Sequence, residues 1–85
     1  MYQVQFTRTA LKHLGRIDQK QKRRIVVLIE ERLTLDPTLG MPLKGRLKGL
    51  WKLRVGRCRV IYQFSRGRLV VIVVEVQHRK DVYRG

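Results

Sequence analysis

Acidic residues are scarce in this sequence: 85 residues include 6 Asp and Glu against 20 Lys and Arg, which gives a formal net charge of +14. Charge of one sign on this scale opposes compaction of the chain and is typical of proteins that bind a polyanion. Nucleic acid is the first partner that this imbalance suggests, an anionic membrane surface the second and an acidic protein the third.

Cysteine and long apolar segments are also nearly absent. The single cysteine, Cys58, cannot form an internal disulfide, which excludes a disulfide-stapled secreted scaffold. With 2 His and 1 Cys, no cluster has the ligand spacing of a zinc site, and we expect no metal or other cofactor. The start Met1–Val4 is unlike a signal peptide, and the longest apolar run, Leu69 to Val74, is far shorter than the roughly 20 residues of a membrane-spanning helix. We therefore expect a cytoplasmic protein without a membrane partner.

The remaining composition is that of a folded domain. Hydrophobic residues make up 44% of the chain and charged residues 31%, which is too apolar for a disordered basic tail. A chain of 85 residues is long enough for one domain at most, so we expect residues 1–85 to fold as a single unit.

The first half of the chain predicts a strand followed by two helices. Residues 2–6 alternate apolar and polar side chains, as a half-buried strand does. Thr7 is placed to be the N-cap of the first helix. Asp18 and Gln21 resemble a capping box at the start of the second helix, which Pro37 ends. The predicted apolar stripes are Ala10, Leu11, Leu14 and Ile17 in the first helix, and Ile25, Leu28, Ile29 and Leu33 in the second.

The second half predicts three strands joined by short turns. Residues 51–55 alternate apolar and basic side chains, residues 59–64 form the next strand, and residues 68–76 form the last. Gly56 and Gly67 lie in the two turns between them. The order β-α-α-β-β-β predicts an α+β fold, in which two N-terminal helices pack on a small, mostly antiparallel sheet.

One face of the first strand pair in that sheet is predicted to be cationic. Lys52 and Arg54 share the strand face opposite the apolar residues. The turn at Gly56 can bring Arg59 across from them, since cross-strand neighbours lie about 5 Å apart. No Asp or Glu occurs from Pro37 to Val74. Three cations without interleaved carboxylates predict a phosphate-binding site rather than a lattice of salt bridges.

The C-terminal segment supplies groups that could carry out chemistry beside those cations. A neutral imidazole at His78 could serve as a general base or acid in RNA cleavage, and Tyr83 could stack on a base or donate a proton. The alternative that the residues leave open is that His78 caps the strand and Tyr83 packs on the core. We expect His13 on the exposed face of the first helix, and a packing role for Cys58.

The residues Leu50–Tyr62, Val70–Val76 and His78–Tyr83 together resemble the RelE/ParE superfamily of toxins from bacterial and archaeal toxin–antitoxin modules. The resemblance spans essentially the whole chain and includes the β-α-α-β-β-β order. Its RelE branch implies a ribosome-dependent endoribonuclease that cuts mRNA in the ribosomal A site. The implied reaction is attack of the ribose 2′-OH on the adjacent phosphate, without a metal. The implied partners are a cognate acidic antitoxin, the ribosome and mRNA.

The resemblance also implies roles for residues by position. Lys52 matches a basic residue of the family's site, and Arg59 matches the arginine of its Arg-x-x-Tyr strand, as a phosphate clamp. His78 or Arg79 occupies the terminal basic position and Tyr83 the terminal tyrosine. The expected catalytic residues are Arg59, His78, Tyr83 and Lys52. The residues expected to hold the RNA are Arg54, Arg57, Arg79 and Lys80.

Two features bear on the branch of the family. The acid-free stretch argues against the sub-branch that uses a Glu as base, and the basic start of the second helix suits contact with ribosomal RNA. A ParE-like toxin that inhibits DNA gyrase without catalysis is the main alternative, although the terminal His–Tyr pair favours the ribonuclease. A non-catalytic RNA-binding module is the third reading, and the small number of aromatic residues argues against it.

Overall fold

Five strands form one sheet in the computed structural model, which describes residues 1–78. The strands are β1 (Gln3–Phe6), β2 (Met41–Pro42), β3 (Trp51–Val55), β4 (Cys58–Ser65) and β5 (Val70–His78). The helices are α1 (Arg8–Gly15) and α2 (Gln19–Leu28), and α2 continues into a π-helical turn, Ile29–Leu33. The sheet order is β1-β5-β4-β3-β2, with β1 parallel to β5 and the other pairs antiparallel. The predicted α+β fold is confirmed, and β2 is a short strand beyond the four that the sequence predicts.

The predicted helix starts are confirmed by their caps. The Thr7 hydroxyl accepts a hydrogen bond from the Ala10 N–H at 3.1 Å, and an Asp18 carboxylate oxygen accepts from the Gln21 N–H at 2.9 Å. The capping box is not reciprocal, however. The Gln21 side chain instead donates to the Val55 carbonyl at 2.7 Å and thereby ties α2 to the end of β3.

The second helix ends in the π-helical turn, where the Thr34 N–H donates to the Ile29 carbonyl at 3.2 Å. Ile25, Ile29 and Leu33 of the predicted apolar stripe are all 0% exposed, so the change of helix type keeps that stripe on the core. The Thr34 hydroxyl donates to the Glu30 carbonyl at 2.7 Å and satisfies a carbonyl at the helix end.

The register of the strands separates two faces of the sheet, because residues directly opposite each other in an antiparallel pair project to the same side. On one face, Val60, Tyr62 and Val73 pack against the helix residues Ile25 and Ile29 in the hydrophobic core. We call the opposite side the cationic face. Its residues on β3, β4 and β5 are Lys52, Arg54, Arg59, Ile61, Gln63, Ser65, Val70, Ile72, Glu75 and Gln77.

A β-bulge changes the alternation of side chains along β5. Tyr62 on β4 is paired with Val73. The preceding residue, Ile61, is paired with Glu75, so that Val74 is an extra residue in β5. Strict alternation from Val73 would direct Glu75 into the core. The bulge places Glu75 on the cationic face instead.

Residues at the start of α1 and within it cover the edge of β5 beyond the end of β1. The Thr7 N–H donates to the Val73 carbonyl at 3.0 Å, and the Thr7 hydroxyl donates to the Val74 carbonyl. Farther along, the Val76 N–H donates to Nδ1 of His13 at 3.1 Å. The expectation that His13 is exposed is therefore wrong. This half-buried side chain completes the hydrogen bonding of a strand edge that no strand pairs within the described residues.

Candidate active site

The hairpin between β3 and β4 brings three predicted site residues together. Arg54 is the register partner of Arg59, and Lys52 lies two residues before Arg54 on the same face. Gly56 in the connecting turn has φ +60°, a left-handed conformation that glycine adopts without strain. The predicted placement of Arg59 across from the strand face of Lys52 and Arg54 is confirmed.

A cavity of about 340 Å³ opens at these cations. Lys52 and Arg59 are half-buried in its wall, while Arg54 is exposed. The remaining lining residues are Leu39, Gly40, Met41 and Leu53. The cavity therefore combines three cationic side chains with a largely apolar wall. Such a wall lowers the local dielectric and strengthens the attraction of the cations for a bound phosphate.

Residues 39–41 line the cavity on the side away from the cations, and Tyr62 holds this segment against the sheet. The sequence did not single out Tyr62 for this role. The Tyr62 hydroxyl donates to the Pro37 carbonyl at 2.6 Å and accepts from the Gly40 N–H at 3.0 Å. Burial raises the pKa of the Tyr62 phenol above its ordinary value, because the phenolate would lose its hydration. A Cβ on Gly40 would lie 2.3 Å from the Lys52 carbonyl oxygen, so this close approach requires glycine.

The cationic face also holds a carboxylate on β5, although none lies among Lys52, Arg54 and Arg59 themselves. Glu75 lies one residue beyond the acid-free stretch, and the register pairs it with Ile61, whose partner on β3 is Lys52. The Gln77 side-chain amide donates to Glu75 Oε1 at 3.3 Å. The sequence pattern did not predict this placement, because alternation along β5 would put Glu75 on the core side and the bulge at Val74 reverses it.

The structure does not bring His78 to the three cations. Its register partner is Cys58, which is 2% exposed and belongs to the core cluster, so His78 lies on the core side of the sheet at the end of β5. The packing role expected for Cys58 is confirmed. Arg57 lies exposed in the turn between β3 and β4. The other predicted site residues, Arg79, Lys80 and Tyr83, lie outside the described residues.

A second cationic surface lies along α2. Lys20, Arg23 and Arg24 line a shallow concavity of about 440 Å³ together with Gln19 and Val27. All of these residues come from α2, and all are exposed. Cations near a helix N-terminus oppose the helix dipole, so this surface does not stabilise the helix.

Comparison with known proteins identifies the family. The model for the ParE toxin of the type II toxin–antitoxin system, parDE, matches residues 4–83. This chain belongs to the RelE/ParE superfamily of toxins. It is therefore the toxin of a type II toxin–antitoxin system, as the resemblance of its strands and terminal segment to the RelE/ParE superfamily implied.

Individual relatives agree with this assignment. The chain is 31% identical over 84 residues to Toxin RelG of Mycobacterium tuberculosis, with 98% of this chain and 97% of the relative covered. It is 33% identical over 84 residues to Toxin RelE of the same organism, with 98% and 87% covered. Among solved structures, the M. tuberculosis toxin–antitoxin complex RelBE2 matches with a TM-score of 0.87 and 29% identity, over 92% of this chain and 98% of that one.

Within residues 1–78, no three His, Cys, Asp or Glu side chains form a group that could hold a metal ion. None of the helices in this range is both long enough and apolar enough to cross a membrane.

Proposed function

We propose that this toxin is a ribosome-dependent endoribonuclease that cleaves mRNA. The observation that carries the proposal is the grouping of Lys52, Arg54 and Arg59 at one cavity on the cationic face. RNA presents a phosphate at every nucleotide, and closely spaced cations bind it by displacing its counterions. Two curated relatives at 31% and 33% identity are named RelG and RelE, which supports the RelE branch.

The proposed reaction uses the RNA's own 2′-oxygen as nucleophile. The 2′-oxygen attacks the adjacent phosphorus as its proton leaves to a base, and the bond from phosphorus to the 5′-oxygen breaks as that oxygen gains a proton. Negative charge grows on the phosphate oxygens in the transition state. Arg59 can bind two of these oxygens with its planar guanidinium, and Lys52 adds a point charge. Arg54 and Arg57 hold the backbone on either side.

The roles proposed for the C-terminal residues rest on their match to the family's terminal motif. His78 and Tyr83 are proposed for protonation of the 5′-oxygen or for base stacking, and Arg79 and Lys80 for backbone binding. The basic surface along α2 is proposed to contact ribosomal RNA. An acidic antitoxin is the proposed protein partner, supported by the antitoxin-bound state of the RelBE2 relative and by the net charge of +14.

Cleavage of mRNA on purified bacterial ribosomes tests this function. The protein should produce discrete cuts at A-site codons, mapped by primer extension. Arg59→Ala should lower the cleavage rate by at least about 100-fold, which is the usual effect of removing one group that binds transition-state charge. Arg68→Ala is the matched control, because Arg68 is exposed in the turn at the far end of β4. If Arg59→Ala and Arg68→Ala cut equally well, the assigned site is wrong.

Inhibition of DNA gyrase is the second candidate, because the matching family model is that of the ParE toxins. A supercoiling assay with purified gyrase should show no inhibition at toxin concentrations that cleave ribosome-bound mRNA. Inhibition of supercoiling without any RNA cleavage would establish the gyrase function and overturn the ribonuclease.

A further inference from the structure

Glu75 is a negatively charged side chain on the cationic face, where it weakens the attraction of the face for a phosphate. Register partners on β3, β4 and β5 form rows across the sheet. One row consists of Lys52, Ile61 and Glu75, and the next consists of Arg54, Arg59 and Gln77. A carboxylate in the row beside two arginines repels the phosphate that those arginines attract. The other five acidic residues all lie in residues 18–36 or in the C-terminal segment. An acid at this point of the face therefore calls for a function.

The position of Glu75 is fixed by its surroundings. Gln77 donates to its Oε1 at 3.3 Å, and the bulge at Val74 sets the face on which it lies. The side chain is half-buried, which limits the conformations it can adopt. An ionised carboxylate has two oxygens and accepts several hydrogen bonds, so the bond from Gln77 leaves capacity for a proton from substrate.

We propose that Glu75 is the general base of the reaction, an inference that rests on the proposed ribonuclease function. Its carboxylate takes the proton of the ribose 2′-OH as the 2′-oxygen forms its bond to phosphorus. The bond from phosphorus to the 5′-oxygen breaks, and the 5′-oxygen takes a proton from water or a protonated side chain. The products are a 2′,3′-cyclic phosphate and a 5′-hydroxyl end, and Glu75 later returns its proton to solvent.

Neither the two arginines of this face nor His78 supplies that role. Arg54 and Arg59 carry guanidinium groups that do not release a proton in proteins. His78 lies on the core side of the sheet, paired with Cys58. A base must come within hydrogen-bond distance of the 2′-OH while cations bind the neighbouring phosphate. Glu75 lies on the strand next to that of Arg59, two residues before Gln77, the register partner of Arg59. Such diagonal neighbours lie about 7–8 Å apart, which suits a nucleotide that spans the two side chains.

The test compares Glu75→Gln with Glu31→Gln on programmed ribosomes. Both variants lose one negative charge, and Glu31 is exposed in the π-helical turn, away from the cationic face. Under toxin excess, Glu75→Gln should lower the single-turnover cleavage rate by about 100-fold or more. Its affinity for ribosomes should be unchanged or higher, because a charge that repels phosphate is gone. Glu31→Gln should cleave at the wild-type rate.

Each outcome decides the question. Wild-type cleavage by Glu75→Gln would overturn the assignment while leaving the ribonuclease function intact. A loss of ribosome binding that matches the loss of rate would also overturn it, since a base acts on rate alone. Glu75→Asp, which keeps the carboxylate, should regain part of the rate, and no gain over Glu75→Gln would count against a proton-transfer role. A wild-type protein that cuts no RNA would instead refute the proposed function itself.

Discussion

Replacing Tyr62 by Phe tests whether one phenol fastens the wall of the cavity. The variant loses the bond to the Pro37 carbonyl at 2.6 Å and the bond from the Gly40 N–H at 3.0 Å. A buried group left without its partner costs about 1–3 kcal/mol. Pro37 is buried and Gly40 half-buried, so we expect the free energy of unfolding to fall by about 2–4 kcal/mol. That is a large part of the roughly 5–15 kcal/mol of an ordinary domain.

Urea denaturation measures this loss. With an m-value of about 1 kcal/mol/M, the unfolding midpoint of Tyr62→Phe should lie at least about 2 M below that of the wild type. Tyr2→Phe is the matched control, because Tyr2 packs on Phe64 through its ring at 6.2 Å between centroids. Its effect should stay within about 0.5 kcal/mol. Equal midpoints for the two variants would refute the fastening role of Tyr62.

The pH dependence gives the same prediction a second readout. Because burial raises the pKa of Tyr62 above its ordinary 10.0, the native state keeps the phenol proton to higher pH than the unfolded state does. The stabilisation by Tyr62 is therefore complete below about pH 10 and declines as the pH rises above that value. The stability difference between wild type and Tyr62→Phe should narrow above about pH 10. A difference that stays constant through this range would contradict the reasoning.

Two further predictions concern charge. Changing Lys20, Arg23 and Arg24 together to Gln should weaken ribosome binding. The slope of the logarithm of the binding constant against the logarithm of the salt concentration should become shallower by about 0.7–0.9 for each phosphate that the variant no longer neutralises. Sedimentation with ribosomes at several salt concentrations measures both effects. An unchanged slope would show that α2 does not bind RNA. Arg54→Gln should stabilise the fold by up to about 1 kcal/mol in urea while lowering cleavage, because it removes repulsion from its cross-strand partner Arg59. A lower free energy of unfolding for Arg54→Gln would show that repulsion between Arg54 and Arg59 does not destabilise the fold.

Local patterns in the sequence predicted the local structure correctly. Thr7 and Asp18 cap their helices because a side-chain oxygen one residue before a helix can reach the N–H groups of its first turn. The alternation in residues 51–55 predicted which side chains of β3 face the core. Arg59 could be placed across from Arg54 because a short hairpin fixes the register of its two strands.

Contacts between segments that are far apart in the sequence could not be predicted from local patterns. β1 joins the sheet parallel to β5, which follows it by more than sixty residues, and β2 is a pair of two residues against β3. His13 reaches the Val76 N–H across a similar separation in sequence, which no helical periodicity reports. The Tyr62 bonds to Pro37 and Gly40 depend in the same way on the packed fold. Such interactions depend on how the elements pack, which residue spacing alone does not encode.

The bulge at Val74 explains why the predicted site and the observed one differ. Unbroken alternation in β5 would put Glu75 on the core side with Val73, and would put His78 on the side of Arg59. The extra residue reverses both assignments, so that a carboxylate takes the place where a histidine was expected. Thr7 bonds to the carbonyl groups of Val73 and Val74, and so the N-cap of α1 also holds the bulge. Hydrogen bonds from a residue near the start of the chain thus help to determine which side chains of β5 lie on the cationic face.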